Sequence, residues 1–204
     1  MVDINRIILD VAYKNKCSHL GSYFTAAPII DDIFKNKKFD DIFILSSGHA
    51  AIALYAAIEK YHNIKAMDLF AKHGGHPHRD EKNHIYCSTG SLGMGITVAV
   101  GRALANPNRD VHVLLSDGEC AEGSVWESLR FIHDQNIKNI KVHVNANGYA
   151  AYDSVDLDYL EKRLKAFLPS IIFHRTNVGV FPFLNGLNAH YHVMSKEDYE
   201  KAIQ

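Results

Sequence analysis

Cysteine is scarce in this 204-residue chain. There are three, Cys17, Cys87 and Cys120, odd in number and without CxxC spacing. That pattern speaks against a zinc clip of paired thiolates and for reduced thiols rather than a disulfide frame. An excess of charge of either sign is also missing: the formal net charge is -1, and lysine and arginine are scattered rather than striped. No field is therefore available to draw in nucleic acid. No apolar run is long enough to cross a bilayer. The opening Met1-Val2-Asp3-Ile4-Asn5-Arg6 lacks the charged lead and apolar stretch of a secretory leader. These absences set the expectation of a cytoplasmic protein that engages neither membrane nor nucleic acid. Repeats, low-complexity stretches and linkers are lacking too, so 1–204 reads as a single domain, with 47% hydrophobic residues to fill one core.

What is present alternates. Ile4, Ile7, Ile8, Val11 and Ala12 recur at helical spacing, and a second helix is expected over 25–34, with Pro28 in its first turn where proline is tolerated. Residues 42–45 read as a buried strand broken by Ser46-Ser47-Gly48, after which His49 opens an alanine-rich helix to about Tyr61. The strand, glycine turn and helix pattern repeats with strands expected at 84–87, 111–115 and 141–144, and helices following to about 105, over 124–135 and over 156–167. A fifth strand at 171–174 and a terminal helix at 196–203 complete the reading. Strands alternating with helices imply an α/β fold of three layers, a doubly wound, mostly parallel sheet with helices on both faces.

Chemistry concentrates where strands end. One strand runs into Asp117-Gly118 and the next into Asn145-Ala146-Asn147-Gly148, so that Asp117 and Asn147 stand thirty positions apart across one parallel step. A carboxylate and a carboxamide thus meet at the carboxyl edge of the sheet, where open α/β folds bind ligands. Hard oxygen donors there suit a magnesium ion that keeps part of its octahedron for phosphate. Gly90-Ser91-Leu92-Gly93-Met94-Gly95 is a glycine-rich loop between strand and helix, matching neither GxGxxG nor a Walker loop. It reads equally as a backbone platform for a ligand and as a plain helix-entry turn. His19, His49 and His76 each sit in a loop or at a loop-to-helix junction. The trio His73, His76 and His78 allows a zinc reading, which Pro77 and the absence of a thiolate disfavour. Glu119 and Glu122 read as a solvated first turn favoured by the helix dipole.

Taken together, Ser18-His19-Leu20-Gly21-Ser22, Ile44-Leu45-Ser46-Ser47-Gly48-His49-Ala50, Gly75-His76-Pro77, the 88–95 loop, Asp117-Gly118-Glu119 with Glu122-Gly123 and Trp126-Glu127, and Asn147-Gly148 run in an order that resembles the amino-terminal, diphosphate-binding domain of the transketolase family. The resemblance implies thiamine diphosphate held through a divalent cation, Mg2+ or another such as Ca2+ or Mn2+, with Asp117, Asn147 and the backbone carbonyl of Tyr149 as ligands. It implies a cofactor-binding set of His49, Gly90, Ser91, Leu92, Gly118, Glu119, Asn147 and His190. His49 and Gly118 would meet the diphosphate, and the backbones of Gly90 and Leu92 the aminopyrimidine. His19, His76 and His190 would serve the substrate and move protons. His192 competes with His190 for that last place. Glu122 resembles an acid the family sets near the contact between two cofactor sites. Ser116 stands where the family has glycine and Asn145 where it has aspartate, changes expected to tune the site rather than abolish it.

The resemblance further implies one subunit of a split transketolase-like enzyme that moves a two-carbon ketol unit from a ketose to an aldose. The substrate would be a sugar or sugar phosphate. The pyrimidine-binding and C-terminal domains, with the activating glutamate, would come from a second polypeptide in a hetero-oligomer, a dimer of heterodimers. The alternatives are a condensation of the deoxyxylulose-phosphate type and a non-catalytic scaffold.

Overall fold

The structure is a computed structural model that describes residues 3–204; Met1 and Val2, the first positions of the leader reading, lie outside the described residues. A four-stranded parallel sheet forms its middle layer, with β1 (Ile42–Leu45), β2 (Val111–Ser116), β3 (Ile140–Ala146) and β4 (Ile172–Arg175) side by side in chain order. Register pairs Ile42 with Val111, Val111 with Ile140, and Ser116 with Asn145, so the carboxyl ends of β2 and β3 finish level. Strand alternation sorts the side chains between two cores. Phe43, Leu45 and Leu114 pack against α1 (Ile4–Lys14), α2 (Leu20–Asn36), α3 (Ala51–His62) and α4 (Ala66–His73). Ile42, Ile44, Val113, Leu115, Val142 and Val144 pack on the opposite face against α5 (Met94–Ala105), α6 (Gly123–Asp134) and α7 (Leu157–Phe167). Helices on both faces are what buried parallel strands require. Beyond β4 come two short helices, α8 (Asn188–Tyr191) and α9 (Lys196–Ala202). Among the described residues no helix is long and apolar enough to cross a membrane.

Three local expectations are corrected. The segment 84–87 is not a strand. Ile85 makes only an isolated antiparallel bridge to Asp80, and His84 lies in the left-handed region at φ 62°. Ile85 and Cys87 are buried anchors of a loop, and two anchors at alternate positions are a pattern that loop and strand share. The sheet therefore has four strands rather than five, β1 pairing directly with β2. α2 begins at Leu20 rather than 25, which places Pro28 inside the helix, on its exposed side. Its first eight residues are all buried, so no polar stripe marks the onset. α4 has no counterpart in the sequence reading, being only eight residues long.

Candidate active site

The loops that leave the carboxyl ends of the strands converge on a cavity of about 260 Å³. His19 and Ser22 line it from the start of α2, His49 from the turn after β1, His76 and Gly90 from two loops, Gly118 and Glu122 from the segment after β2, Asn147 from the end of β3, and His190 from α8. Residues more than 140 positions apart in the chain thus share one space. Gly48 permits one close approach: a Cβ there would lie 2.6 Å from the Thr89 carbonyl carbon, so only glycine lets the β1 turn seat against the glycine loop. His19 has φ 66°, strained for a residue with a side chain, and its backbone N–H donates to the His190 carbonyl at 2.8 Å. The strain aims the ring at the cavity.

The imidazoles are close. His19 and His190 have ring centroids 4.3 Å apart, and His19 and His49 5.7 Å. Burial pushes His19 down to about 4, with the neighbouring His190 and His76 acting in the same sense, and His49 down to about 3. His190 is lowered by burial as well. Near neutral pH these rings are uncharged, each with one N–H to donate and one lone pair to accept. His190 rather than His192 faces the cavity; His192 is held by the Asp198 carboxylate at 3.1 Å and stacks on Phe183.

Asp117 lies just behind Gly118, 2% exposed. Its carboxylate accepts the Gly148 N–H at 2.6 Å and the Gly118 N–H at 2.9 Å, stitching the ends of β2 and β3 together. Burial raises its pKa to about 6, while the two N–H bonds pull the other way. Asn147 Oδ1 accepts the Tyr149 N–H at 3.0 Å. The Tyr149 carbonyl oxygen would stand 3.8 Å from a Cβ placed on Gly118. Carboxylate, amide and backbone carbonyl oxygens so gathered form a donor set suited to a hard divalent cation. Among the described residues no cluster of three His, Cys, Asp or Glu side chains makes a metal site by itself. The His73, His76 and His78 trio is dispersed: His73 is buried against Asp80 and only His76 reaches the cavity.

Other candidates fall elsewhere. Ser91 is exposed and outside the cavity wall, and Leu92 lines it. Glu122 is exposed at the cavity rim in the chain by itself. Glu119 is not in a solvated turn, nor does it face the cavity: it is fully buried, bonded to Ser46 and Gly93. The sequence reading also missed Thr25. Its hydroxyl donates to the Gly21 carbonyl at 2.8 Å and so can only accept from Asn145 Nδ2, at 2.9 Å. Asn145 Oδ1 in turn accepts from Thr176 at 2.7 Å. One donor and one acceptor are required of residue 145, which an amide supplies and an ionised carboxylate does not. Ser116 Oγ accepts the Glu119 N–H at 3.1 Å, closing the turn that carries Gly118. The signal for Thr25 was a hydroxyl residue, like Ser22 one turn before it, among apolar ones on a buried stretch of helix.

The transketolase, thiamine diphosphate binding domain family matches residues 1–170. Transketolase-like protein 2 of Mus musculus is 34% identical over 143 residues, 63% of this chain and 23% of its own length. The 6-deoxy-6-sulfo-D-fructose transketolase subunit SqwG of Clostridium sp. is 29% identical over 203 residues, 85% of this chain and 73% of its own. In structure the chain is similar to transketolase from Campylobacter jejuni, with TM-score 0.67 and 16% identity over 99% of this chain and 42% of that one, a likeness of fold. The chain spans about a quarter to a third of the length of the first curated relatives it matches. With its sheet, its cavity at the strand ends and these matches in agreement, the chain belongs to the transketolase thiamine-diphosphate-binding domain family.

Proposed function

We propose that this chain is the diphosphate-binding subunit of a split transketolase-like enzyme that transfers a two-carbon ketol unit from a ketose to an aldose. The observation that carries the reading is the Asp117 carboxylate, bonded to the Gly148 N–H behind Gly118, next to a cavity that Gly118 and Asn147 line together with His19, His49 and His190. A relative named as a transketolase subunit, of which this chain spans 73%, supports a separate partner polypeptide. That partner would carry the pyrimidine-binding and C-terminal domains in a hetero-oligomer, a dimer of heterodimers. Free thiols at Cys17, Cys87 and Cys120 fit the cytoplasm as the place of action.

In this reading Asp117, Asn147 and the Tyr149 carbonyl hold Mg2+, and His49 and the Gly118 backbone hold the diphosphate. Thiamine diphosphate supplies the nucleophilic carbon that takes up the two-carbon unit. His19, His76 and His190 are then placed to hydrogen-bond sugar hydroxyls and to take up or return a hydroxyl proton, the uncharged rings of His19 and His190 being ready acceptors. Buried neutral imidazoles also keep the cavity free of competing positive charge.

The test is reconstitution. The chain with thiamine diphosphate and Mg2+ is expected to give no ketol transfer between a ketose phosphate and an aldose phosphate by itself. Adding the polypeptide encoded beside it restores transfer. Full turnover by the single chain refutes the split, product formed only from pyruvate and an aldehyde moves the chain to the condensing alternative, and a complex that fails to bind thiamine diphosphate leaves the scaffold.

A further inference from the structure

Glu119 is the most deeply buried carboxylate next to the cavity, 0% exposed, and no lysine or arginine pairs with it among the described residues. An unpaired buried carboxylate is costly unless its lone pairs are taken by hydrogen bonds. Here they are, by donors from three different segments. Oε1 accepts the Ser46 hydroxyl at 2.5 Å from the end of β1 and the Gly93 N–H at 2.7 Å from the glycine loop. Oε2 faces the Ser116 N–H at 3.4 Å at the end of β2. Gly93 is gripped from its other side as well, its carbonyl accepting the Ser124 hydroxyl at 2.9 Å. It has φ 78°, and a Cβ there would lie 2.3 Å from Ser124 Oγ, so the loop has one seat. Leu92, its neighbour, and Gly90 line the cavity, and Gly90 sits against the His76 ring. Asp117, two residues before Glu119, is bonded instead to Gly118 and Gly148. Two carboxylates on one turn therefore serve two separate halves of the site.

We propose that Glu119 is a positioning residue that sets the backbone of residues 90–93 as the seat for the ring end of the cofactor, independently of the metal and diphosphate end held from Asp117 and Asn147. The inference rests on the thiamine diphosphate reading of the cavity. Glu119→Gln keeps one carbonyl oxygen to accept from Ser46 and Gly93, gives up only the long contact from the Ser116 N–H at 3.4 Å, and retains the seat. Glu119→Leu removes both acceptor oxygens at similar volume and takes their acceptor from three donors, the Ser46 hydroxyl and the Gly93 and Ser116 N–H groups, enough to lose about tenfold or more in affinity.

Calorimetry on the full chain with its partner subunit, using thiamine diphosphate and magnesium pyrophosphate as the two probes, reads the difference. Glu119→Leu is expected to weaken thiamine diphosphate about tenfold or more, to leave magnesium pyrophosphate within about twofold, and to be rescued by Glu119→Gln. Equal loss of both probes, or loss of neither, overturns the proposal. If Glu119→Leu does not fold, Ser46→Ala removes one arm of the clamp, with the same split expected at smaller size and the same overturning result. Amide exchange separates this failure from failure of the cofactor reading. Should the wild-type complex not bind thiamine diphosphate, the loop amides of 90–93 still exchange about tenfold faster in Glu119→Leu, with β2 and β3 unchanged, if Glu119 seats the loop. Unchanged loop exchange overturns the seat itself.

Discussion

Two groups of histidines occupy the same sheet, one at its end and one on its face. His19, His49 and His190 stand around the cavity with centroids 4.3 to 6.0 Å apart and rings tilted or edge-on. His112, His143 and His174 lie stacked across β2, β3 and β4, and their nitrogens face one another at 3.3 and 3.0 Å. Burial lowers the pKa in both groups, His49 and His143 each to about 3. A depressed pKa therefore does not separate a working imidazole from a structural one. Surroundings do: in the ladder both nitrogens of the middle ring, His143, are spent on its neighbours, whereas His19, His49 and His190 line an open cavity. Asp41, Asp110, Lys141 and Lys37 surround His112, and Asp32 lies near His174, so the ladder ends among surface charges rather than at the cavity.

The contrast breaks most severely at the metal end. Asp117→Ala in the complex is expected to abolish Mg2+-dependent thiamine diphosphate binding, a loss on the order of a hundredfold or more for a charged ligand removed from a hard-cation site. His143→Leu on the ladder is expected to leave that affinity intact. Calorimetry on both variants decides it, and undiminished binding by Asp117→Ala would remove the metal assignment. Next in size, His76→Ala lowers turnover about a hundredfold while cofactor affinity stays within about threefold, in keeping with loss of a proton-transfer partner. Equal loss of both in steady-state kinetics and calorimetry would move His76 out of the substrate region.

The smallest effect sharpens the ladder's side. His143 has its folded pKa below its unfolded value of about 6.5, so the unfolded chain binds more protons and stability falls as pH drops from about 6.5 toward 3. His143→Leu should flatten that slope by up to about 1.4 kcal/mol per pH unit, one proton's worth, in urea midpoints measured across the window. An unchanged slope would show that the ladder's middle ring does not titrate in this way.

Much of this was legible in the chain. The helices on both faces of a parallel sheet were expected from strand-turn-helix punctuation and are observed, and Asp117 and Asn147 each follow directly on the last residue of β2 and β3. The level ends of β2 and β3 follow from Ser116 pairing with Asn145. Glu119 was misread because a glutamate in a first turn carries the same local pattern whether it meets water or Ser46, 73 positions away. The 84–87 segment was misread because two buried side chains anchor a loop as well as they fill a strand. The onset of α2 was hidden because its first eight residues are all buried and so show no periodicity.

By itself the sequence determined which residues end the strands and which turns follow, since alternation, glycine and capping chemistry act over a few neighbours. Only the tertiary structure decided which of two adjacent carboxylates, Asp117 or Glu119, ties β2 to β3 and which disappears beneath the glycine loop. That choice depends on donors brought in from β1, β3 and the loop before α5, and a hydrogen bond is fixed by distance in space rather than along the chain.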